Sequence, residues 1–191
     1  MHDRANRSLH ARWRSRLPRR LQVHGPSLAP SEEARLLEQV RQLPFEAFQF
    51  HGHAGKRRVV PFGWRYDFNH ARLDATEDIP AFLRLLREVD GDFAGIAPAQ
   101  LQQVLVTEYA VGAGIGWHRD KAVFGEVIGI SLLSACVFRL RRRVGPRWER
   151  VSLTAEPGSA YLSGSSRAEW EHSIPPVNAL RYSITYRNLR A

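Results

Sequence analysis

Cysteine is nearly absent: Cys136 is the only one in 191 residues. A single thiol excludes an internal disulfide framework and fits a reducing, cytoplasmic compartment. Its setting, Ala135-Cys136-Val137-Phe138, predicts a small buried apolar side chain rather than a nucleophile. No apolar run is long enough to span a bilayer, and no signal-peptide h-region follows the N-terminus, so no membrane partner is expected. Internal repeats are missing. Lysine is scarce, with two lysines against 26 arginines, an imbalance that coding bias alone can produce. Acids are missing from residues 1–25 apart from Asp3, which faces seven arginines there.

That last deficit decides how to read the charge. The net charge is +9, of which residues 1–25 hold +6, leaving +3 for the rest. The high pI therefore belongs mainly to a tail, expected to be flexible, and the body is only mildly basic. Such a tail is a solvated leader, a non-specific arm for phosphate backbones, or an Arg-rich, acid-poor start resembling a transit peptide. What the sequence does have is enough apolar material, 43%, for one full core. Residues 26–191 are expected to form one domain, monomeric.

Pro18 to Pro30 reads as a linker entering that domain. Ser31-Glu32-Glu33 then looks like an N-cap with acids in the first helical turn. Leu36, Val40 and Leu43 continue one face until Pro44. A second helix is expected over Pro80 to Val89, with Phe82, Leu85, Leu86 and Val89 on one stripe and Asp90-Gly91 as its stop. Strands follow at Gln102–Tyr109, Val127–Leu133, Cys136–Arg141, Trp148–Leu153, Ala160–Leu162 and Tyr182–Tyr186. Two helices followed by many short strands predict an α+β domain built on a β-sandwich or jelly roll.

His118-Arg119-Asp120 carries the most chemistry. In a strand or its exit, residues i and i+2 point to one side, so His118 and Asp120 can converge on one ion while Arg119 points away. His172, from a later strand, completes two imidazoles and one carboxylate, the facial triad of non-haem Fe(II) oxygenases. Each histidine taken alone is more often a satisfied or surface imidazole. Near the C-terminus, Arg181, Ser183, Thr185 and Arg187 alternate with Tyr182, Ile184 and Tyr186. Two readings stand for that polar face: water on an edge strand, or the interior of a barrel that holds a carboxylate, which arginine's planar fork suits.

From Thr107 to Arg187 the chain resembles the AlkB-like 2-oxoglutarate- and Fe(II)-dependent dioxygenases. The matching pieces are Tyr109, Gly112, His118-x-Asp120, Ile128–Leu133, Gly158, Gly164, Ser166-Arg167, His172 and Arg181-x-Ser183-x-Thr185-x-Arg187. The N-terminal half matches only loosely. The resemblance implies a double-stranded β-helix, a jelly roll with helices buttressing one face. It implies that His118, Asp120 and His172 ligate Fe(II). Arg181 is then expected to hold the C1 carboxylate of 2-oxoglutarate near the metal and to pair with Asp120. Arg187, helped by Tyr109, takes the distal C5 carboxylate, with Ser183 and Thr185 lining the pocket. The family uses O2 to convert 2-oxoglutarate to succinate and CO2 while oxidising a substrate C–H. With an N-methyl substrate, the hydroxymethyl product falls apart to formaldehyde.

Three positions depart from the family pattern. Thr107 and Ser183 stand where asparagines are common, and each keeps a hydroxyl. Lys121-Ala122-Val123 follows Asp120 where repair members tend to carry acids, which weakens direct repair of methylated adenine or cytosine. The substrate candidates are Arg57, Phe62, Trp64 and Tyr66, in a cationic and aromatic stretch similar to the family's nucleotide-recognition lid, together with Arg167 and Trp170. A hairpin packing its aromatics into the sheet explains that stretch as well, and Trp170 either walls the metal pocket or fills the core. Arg139, Arg141 and Arg143 alternate onto one strand face, as a phosphate track or a solvated face. The leading expectation is oxidative demethylation of alkylated DNA or RNA. The alternatives are the same chemistry on a protein side chain or small molecule, and a non-catalytic jelly-roll module that binds nucleic acid.

Overall fold

Strand pairing organises this molecule around the C-terminal segment Arg181–Leu189. The computed structural model describes residues 21–26, 28–50, 53–163 and 170–190. Among them the chain runs β1 (Leu21–Pro26), α1 (Pro30–Val40), β2 (Glu46–Phe50), β3 (His53–Phe62), β4 (Trp64–Asp67), β5 (Arg72–Ala75) and α2 (Ala81–Ala94). A short 3₁₀ turn follows, then β6 (Gln103–Tyr109), β7 (Ile115–His118), β8 (Phe124–Leu132), β9 (Cys136–Val144), β10 (Arg147–Ala155), β11 (Ser159–Ser163), β12 (Trp170–Ile174) and β13 (Arg181–Leu189). No helix among the described residues is long and apolar enough to cross a membrane.

β13 lies in the middle of a seven-stranded sheet ordered β1-β11-β8-β13-β6-β3-β2, bonded antiparallel to β6 and β8. Its apolar residues Tyr182, Ile184 and Tyr186 are buried against Val104, Val106, Ile128 and Ile130, and under Leu37, Val40, Leu83 and Leu86 of the two helices. The Tyr186 hydroxyl donates to the Leu83 carbonyl at 2.8 Å, so the strand and α2 are joined by a bond as well as by packing. Fully burying one such aliphatic or aromatic side chain stabilises by about 1.5–3 kcal/mol. Helices thus cover one face of the large sheet. Its other face turns toward a four-stranded sheet, β10-β9-β12-β7.

Between the sheets lies a second core, where Tyr109 of the large sheet meets Phe138, Leu140, Leu153, Trp170 and Ile174 of the small one. Two facing antiparallel sheets with helices on one outer side make the double-stranded β-helix. The polar face of β13 therefore points into the molecule, and the edge-strand reading fails because β13 has a partner on both sides.

Helix boundaries moved from the expected ones. α1 begins at Pro30 with Ala29 as its cap, because proline's fixed φ suits the first helical position and Glu32 reaches back to the Ala29 N–H at 2.8 Å. Ser31 is inside the helix rather than capping it. The side chain of the neighbouring helical Glu33 reaches out to accept the Leu133 N–H at 2.7 Å. α2 runs through Asp90-Gly91 to Ala94. A helical glycine costs only about 1 kcal/mol, and Ala94 and Ile96 still pack on the core. Gly95, with φ +64°, supplies the left-handed residue that ends the helix.

Leu21–Pro26, expected as linker, is instead an outer strand paired with β11. Residues 1–20 lie outside the described residues, so the tail expectation is not addressed. β2 and β5 were not anticipated, β3 and β4 only as one reading of the aromatic stretch, and β7 and β12 only as unbounded strands carrying His118 and His172. They are short or charged, and only their partners make them strands.

Gly129 of β8 faces Tyr161 of β11 across the pair. An added Cβ would collide with the Tyr161 ring. Gly129→Ala is expected to destabilise by about 1–3 kcal/mol, the usual range for overpacking. For a chain of this size that lowers Tm by roughly 3–10 °C, and thermal denaturation followed by circular dichroism reads it. An unchanged Tm would mean that the Tyr161 ring moves aside freely.

Candidate active site

His118 ends β7, and His172 sits directly opposite it on β12. The two rings lie 4.1 Å apart between centroids. Asp120, two residues past the strand end, brings its Oδ2 to 3.9 Å from His172 Nε2. The ligand atoms of His118, Asp120 and His172 all fall within 4.8 Å of one another, the compactness a single metal ion needs. The Gly116 carbonyl is 3.0 Å from His118 Nδ1. A carbonyl only accepts, so Nδ1 carries the proton and Nε2 keeps its lone pair for an ion. Phe138 stacks on the His172 ring at 5.4 Å and walls the inner side.

The triad opens into a cleft of about 760 Å³ between the sheets. Tyr109, Ser183, Thr185 and Arg187 line it, as do Arg57 and Tyr66. Arg187 Nη1 donates to Gln103 Oε1 at 3.0 Å, and its Nη2 lies 4.0 Å from Asp120 Oδ1. Arg181 is 1% exposed, carries its guanidinium 4.6 Å from the Tyr109 ring centre and donates to Ser131 Oγ at 3.1 Å. Its Nε and Nη1, and Nε of Arg187, are buried without a hydrogen-bond partner. Buried charged donors left unpaired are costly, a cost that an anion would offset.

The arginines are therefore exchanged relative to expectation. Arg187, not Arg181, approaches Asp120, and Arg181, not Arg187, shares its end of the site with Tyr109. Alternation alone cannot tell which end of a strand meets the metal. That depends on where the β7–β8 connection drops Asp120.

Two further groups lie near Tyr109. Burial, and secondarily the neighbouring Tyr109, pushes the Tyr161 hydroxyl far above its ordinary range, so it stays protonated and able to donate. Burial lowers the Arg57 guanidinium, while a hydrogen bond and the charge of Tyr109 act the other way. Nothing in the sequence singled out Tyr161, although alternation against buried Ala160 and Leu162 points it inward.

The mouth is aromatic. Tyr66 and Phe68 meet edge-to-face at 5.0 Å, Phe48 and Phe68 at 5.5 Å. Arg57 lies 3.9 Å over Phe48, and Lys121 Nζ is 5.5 Å from both Tyr66 and Phe68. Lys121, noted only as a departure from the family, thus caps the aromatic wall beside Asp120. Phe48, at the register shift of β2, and Phe68, in the β4–β5 turn, gave no signal. The Asp67 carboxylate pins the β4–β5 turn by accepting from His70 Nδ1 at 2.7 Å and from the Asn69 and His70 amides. The His70 bond first, and the amides after it, hold its pKa at about 2. Because the shift is downward, the clasp is complete above the usual carboxylate range and is lost only as pH falls through about 2.

Other substrate candidates fall elsewhere. Phe62 is in the core under the helices, 3% exposed, since it lies on the outer face of β3. Trp64 is not among the residues lining the cleft. Trp170 fills the core between the sheets, with Arg142 over its ring at 4.8 Å. Arg167, with Gly164 and Ser166, lies outside the described residues. Cys136 is buried as expected, and burial raises its thiol pKa, which removes it as a nucleophile.

Comparison with known proteins accords with this geometry. A sequence profile of the 2OG-Fe(II) oxygenase superfamily matches residues 23–187. The Arabidopsis thaliana "Alkylated DNA repair protein ALKBH8 homolog" is 27% identical over 145 residues, 63% of this chain and 42% of that protein. The chain thus spans less than half the length of this relative. Among solved structures, OsALKBH1 superposes with a TM-score of 0.65 at 14% identity, covering 88% of this chain and 96% of that one. A prolyl hydroxylase from Trichoplax adhaerens, in complex with a hypoxia inducible factor peptide fragment, gives 0.63 at 15% identity, covering 89% and 83%. The structural likenesses establish the fold, and the profile spans nearly all of it. The chain belongs to the 2OG-Fe(II) oxygenase superfamily, whose members are enzymes using Fe(II), 2-oxoglutarate and O2.

Proposed function

We propose that this oxygenase demethylates alkylated nucleic-acid bases, with His118, Asp120 and His172 holding Fe(II). The observation that carries the site assignment is the buried, unpartnered Nε of Arg187, whose Nη2 lies 4.0 Å from Asp120, together with the two unpartnered nitrogens of Arg181 against Tyr109. A dicarboxylate satisfies both arginines at once. Arg187, next to Asp120, receives the carboxylate nearest the metal, and Arg181 with Tyr109 receives the distal one. Thr185 and Ser183 add hydroxyls along the path between them, and the protonated Tyr161 supplies a further donor at the distal end. Bound there, Fe(II) with 2-oxoglutarate and O2 supplies the oxidation of a C–H bond, yielding succinate and CO2.

Two features support a nucleobase as the group oxidised. The mouth offers flat aromatic faces at Phe48, Tyr66 and Phe68 for stacking a planar ring, with Arg57 and Lys121 beside them for phosphate or base edges. The repair designation of the Arabidopsis relative points the same way. The free, buried Cys136 agrees with a reducing compartment such as the cytoplasm.

Formaldehyde release from N-methylated DNA and RNA oligonucleotides, set against methylated peptides, tests the reading. Release from an oligonucleotide that disappears without 2-oxoglutarate supports it. Succinate formed only with peptide substrates, or only with small molecules, transfers the same chemistry to another substrate class and ends the nucleic-acid proposal.

A further inference from the structure

Among the described residues the two helices pack on the large sheet, and the outer face of the four-stranded sheet carries an arginine–tryptophan ladder. On β9, Arg139, Arg141 and Arg143 share that face, joined by Trp148 and Arg150 from β10 through their pairing with Arg143 and Arg141. Trp117 of β7 lies at the other end. Arg141 is clamped between two indoles, 4.4 Å from Trp117 and 4.4 Å from Trp148. Arg139 lies 5.1 Å over Trp117, and Arg143 5.4 Å over Trp148. Cations and rings thus alternate across the whole sheet.

Three properties make this more than a solvated face. The first is charge: among the described residues of these strands, Glu171 is the acid on that side, and it is already held by Arg141 Nε at 2.6 Å. Four arginines against one glutamate give a net +3, equal to the net charge of all of residues 26–191. The second is preorganisation. A guanidinium held over an indole loses little further freedom on meeting an anion. The hydrogen bonds of Arg139 and Arg141 engage Nε, not the terminal amines that would grip a phosphate fork. The third is continuity, because Trp117, where the ladder begins, also lines the catalytic cleft one residue before His118.

We propose that this face binds the phosphates of a single nucleic-acid strand that leaves the cleft at Trp117 and crosses the sheet toward Trp148 and Arg143. The occupant is identified by charge complementarity and by continuity with the cleft, and the idea rests on the nucleic-acid reading of that cleft. The ladder fixes the strand's position without reading its bases, so it selects for length of substrate rather than for sequence.

The test uses the full chain and a fluorescent, unmethylated single-stranded oligonucleotide, with anisotropy measured over a range of salt. Arg143 and Arg150 are exposed and lie far along the sheet from the metal ligands, so the double variant Arg143→Gln/Arg150→Gln removes charge at little risk to the fold. Its Kd at low salt is expected to rise about 10-fold or more. The slope of log K against log salt should shrink by about 1.4, at roughly 0.7 per lost single-strand phosphate contact. Arg143→Lys/Arg150→Lys should restore the slope. Wild-type Kd and slope in the glutamine variant overturn the proposal, as does a lysine variant that loses as much as the glutamine one. An acidic polypeptide that binds the wild type equally well and loses equally in the variant also overturns it, in favour of a protein partner. Because no methyl group is present, this outcome is independent of the formaldehyde assay. An oxygenase inactive on every oligonucleotide but with the expected slope change would lose its proposed substrate and keep this surface.

Discussion

Asp120→Ala is expected to reduce succinate formation by more than about 100-fold. Disturbing groups that merely support metal ligands already costs about 10- to 100-fold in affinity or activity, and Asp120 is the anionic member of the triad itself. Its carboxylate does two things at once. It supplies the negative charge that a divalent ion requires, and it sits 4.0 Å from Arg187 Nη2, offsetting that cation beside the metal. Without it, two neutral imidazoles face a metal ion with Arg187 close by and no charge between them. The iron content of purified protein and succinate at saturating Fe(II) measure the two consequences separately. Asp120→Asn keeps the shape and removes the charge, so it should fail nearly as badly. An alanine variant that retains iron and turns over normally would put the metal elsewhere.

Arg181→Met separates co-substrate binding from stability in an unusual direction. Arg181 is fully buried, with one bond to Ser131 and two nitrogens unpartnered. A charged hydrogen bond is worth about 1.5–3 kcal/mol, so losing this anchor should raise the apparent KM for 2-oxoglutarate about 10- to 100-fold or more. Methionine fills much of the same volume without a charge to desolvate, so the variant alone should be at least as stable as the wild type. The predicted signature is therefore an unchanged or higher Tm without 2-oxoglutarate, together with loss of the Tm rise that 2-oxoglutarate gives the wild type. A variant that unfolds at lower temperature and still shows the wild-type rise would make Arg181 a purely structural residue.

Much of this site was legible because the chemistry leaves so few choices. His118 and Asp120 at i, i+2 spacing, a later His172 and arginines in strand alternation offered a metal and an anion as partners, and the family resemblance chose them over a solvated face. The second-half strands were legible too, since their apolar residues alternate or run continuously. The first half was not. Leu21–Pro26 looks like linker until β11 bonds to it, and Asp90-Gly91 looks like a helix stop until Ala94 and Ile96 pack beyond it. Phe62 and Tyr66 belong to one cationic, aromatic stretch. One entered the core and the other the cleft, because β3 and β4 present different faces.

The sequence by itself determined the candidate donor set and an α+β domain on a sandwich or jelly roll, since periodicity and functional-group chemistry are local properties, while the carboxylate co-substrate came from the family resemblance alone. Only the tertiary structure decided that the polar face of β13 points inward, that Arg187 rather than Arg181 stands beside Asp120, and that Lys121 and Phe68 form the mouth. It also decided that Arg139, Arg141 and Arg143 stack on tryptophans from two other strands. Each of these depends on which strands become neighbours and in what register. That is set by burial of the whole apolar surface at once, and no window of residues contains it.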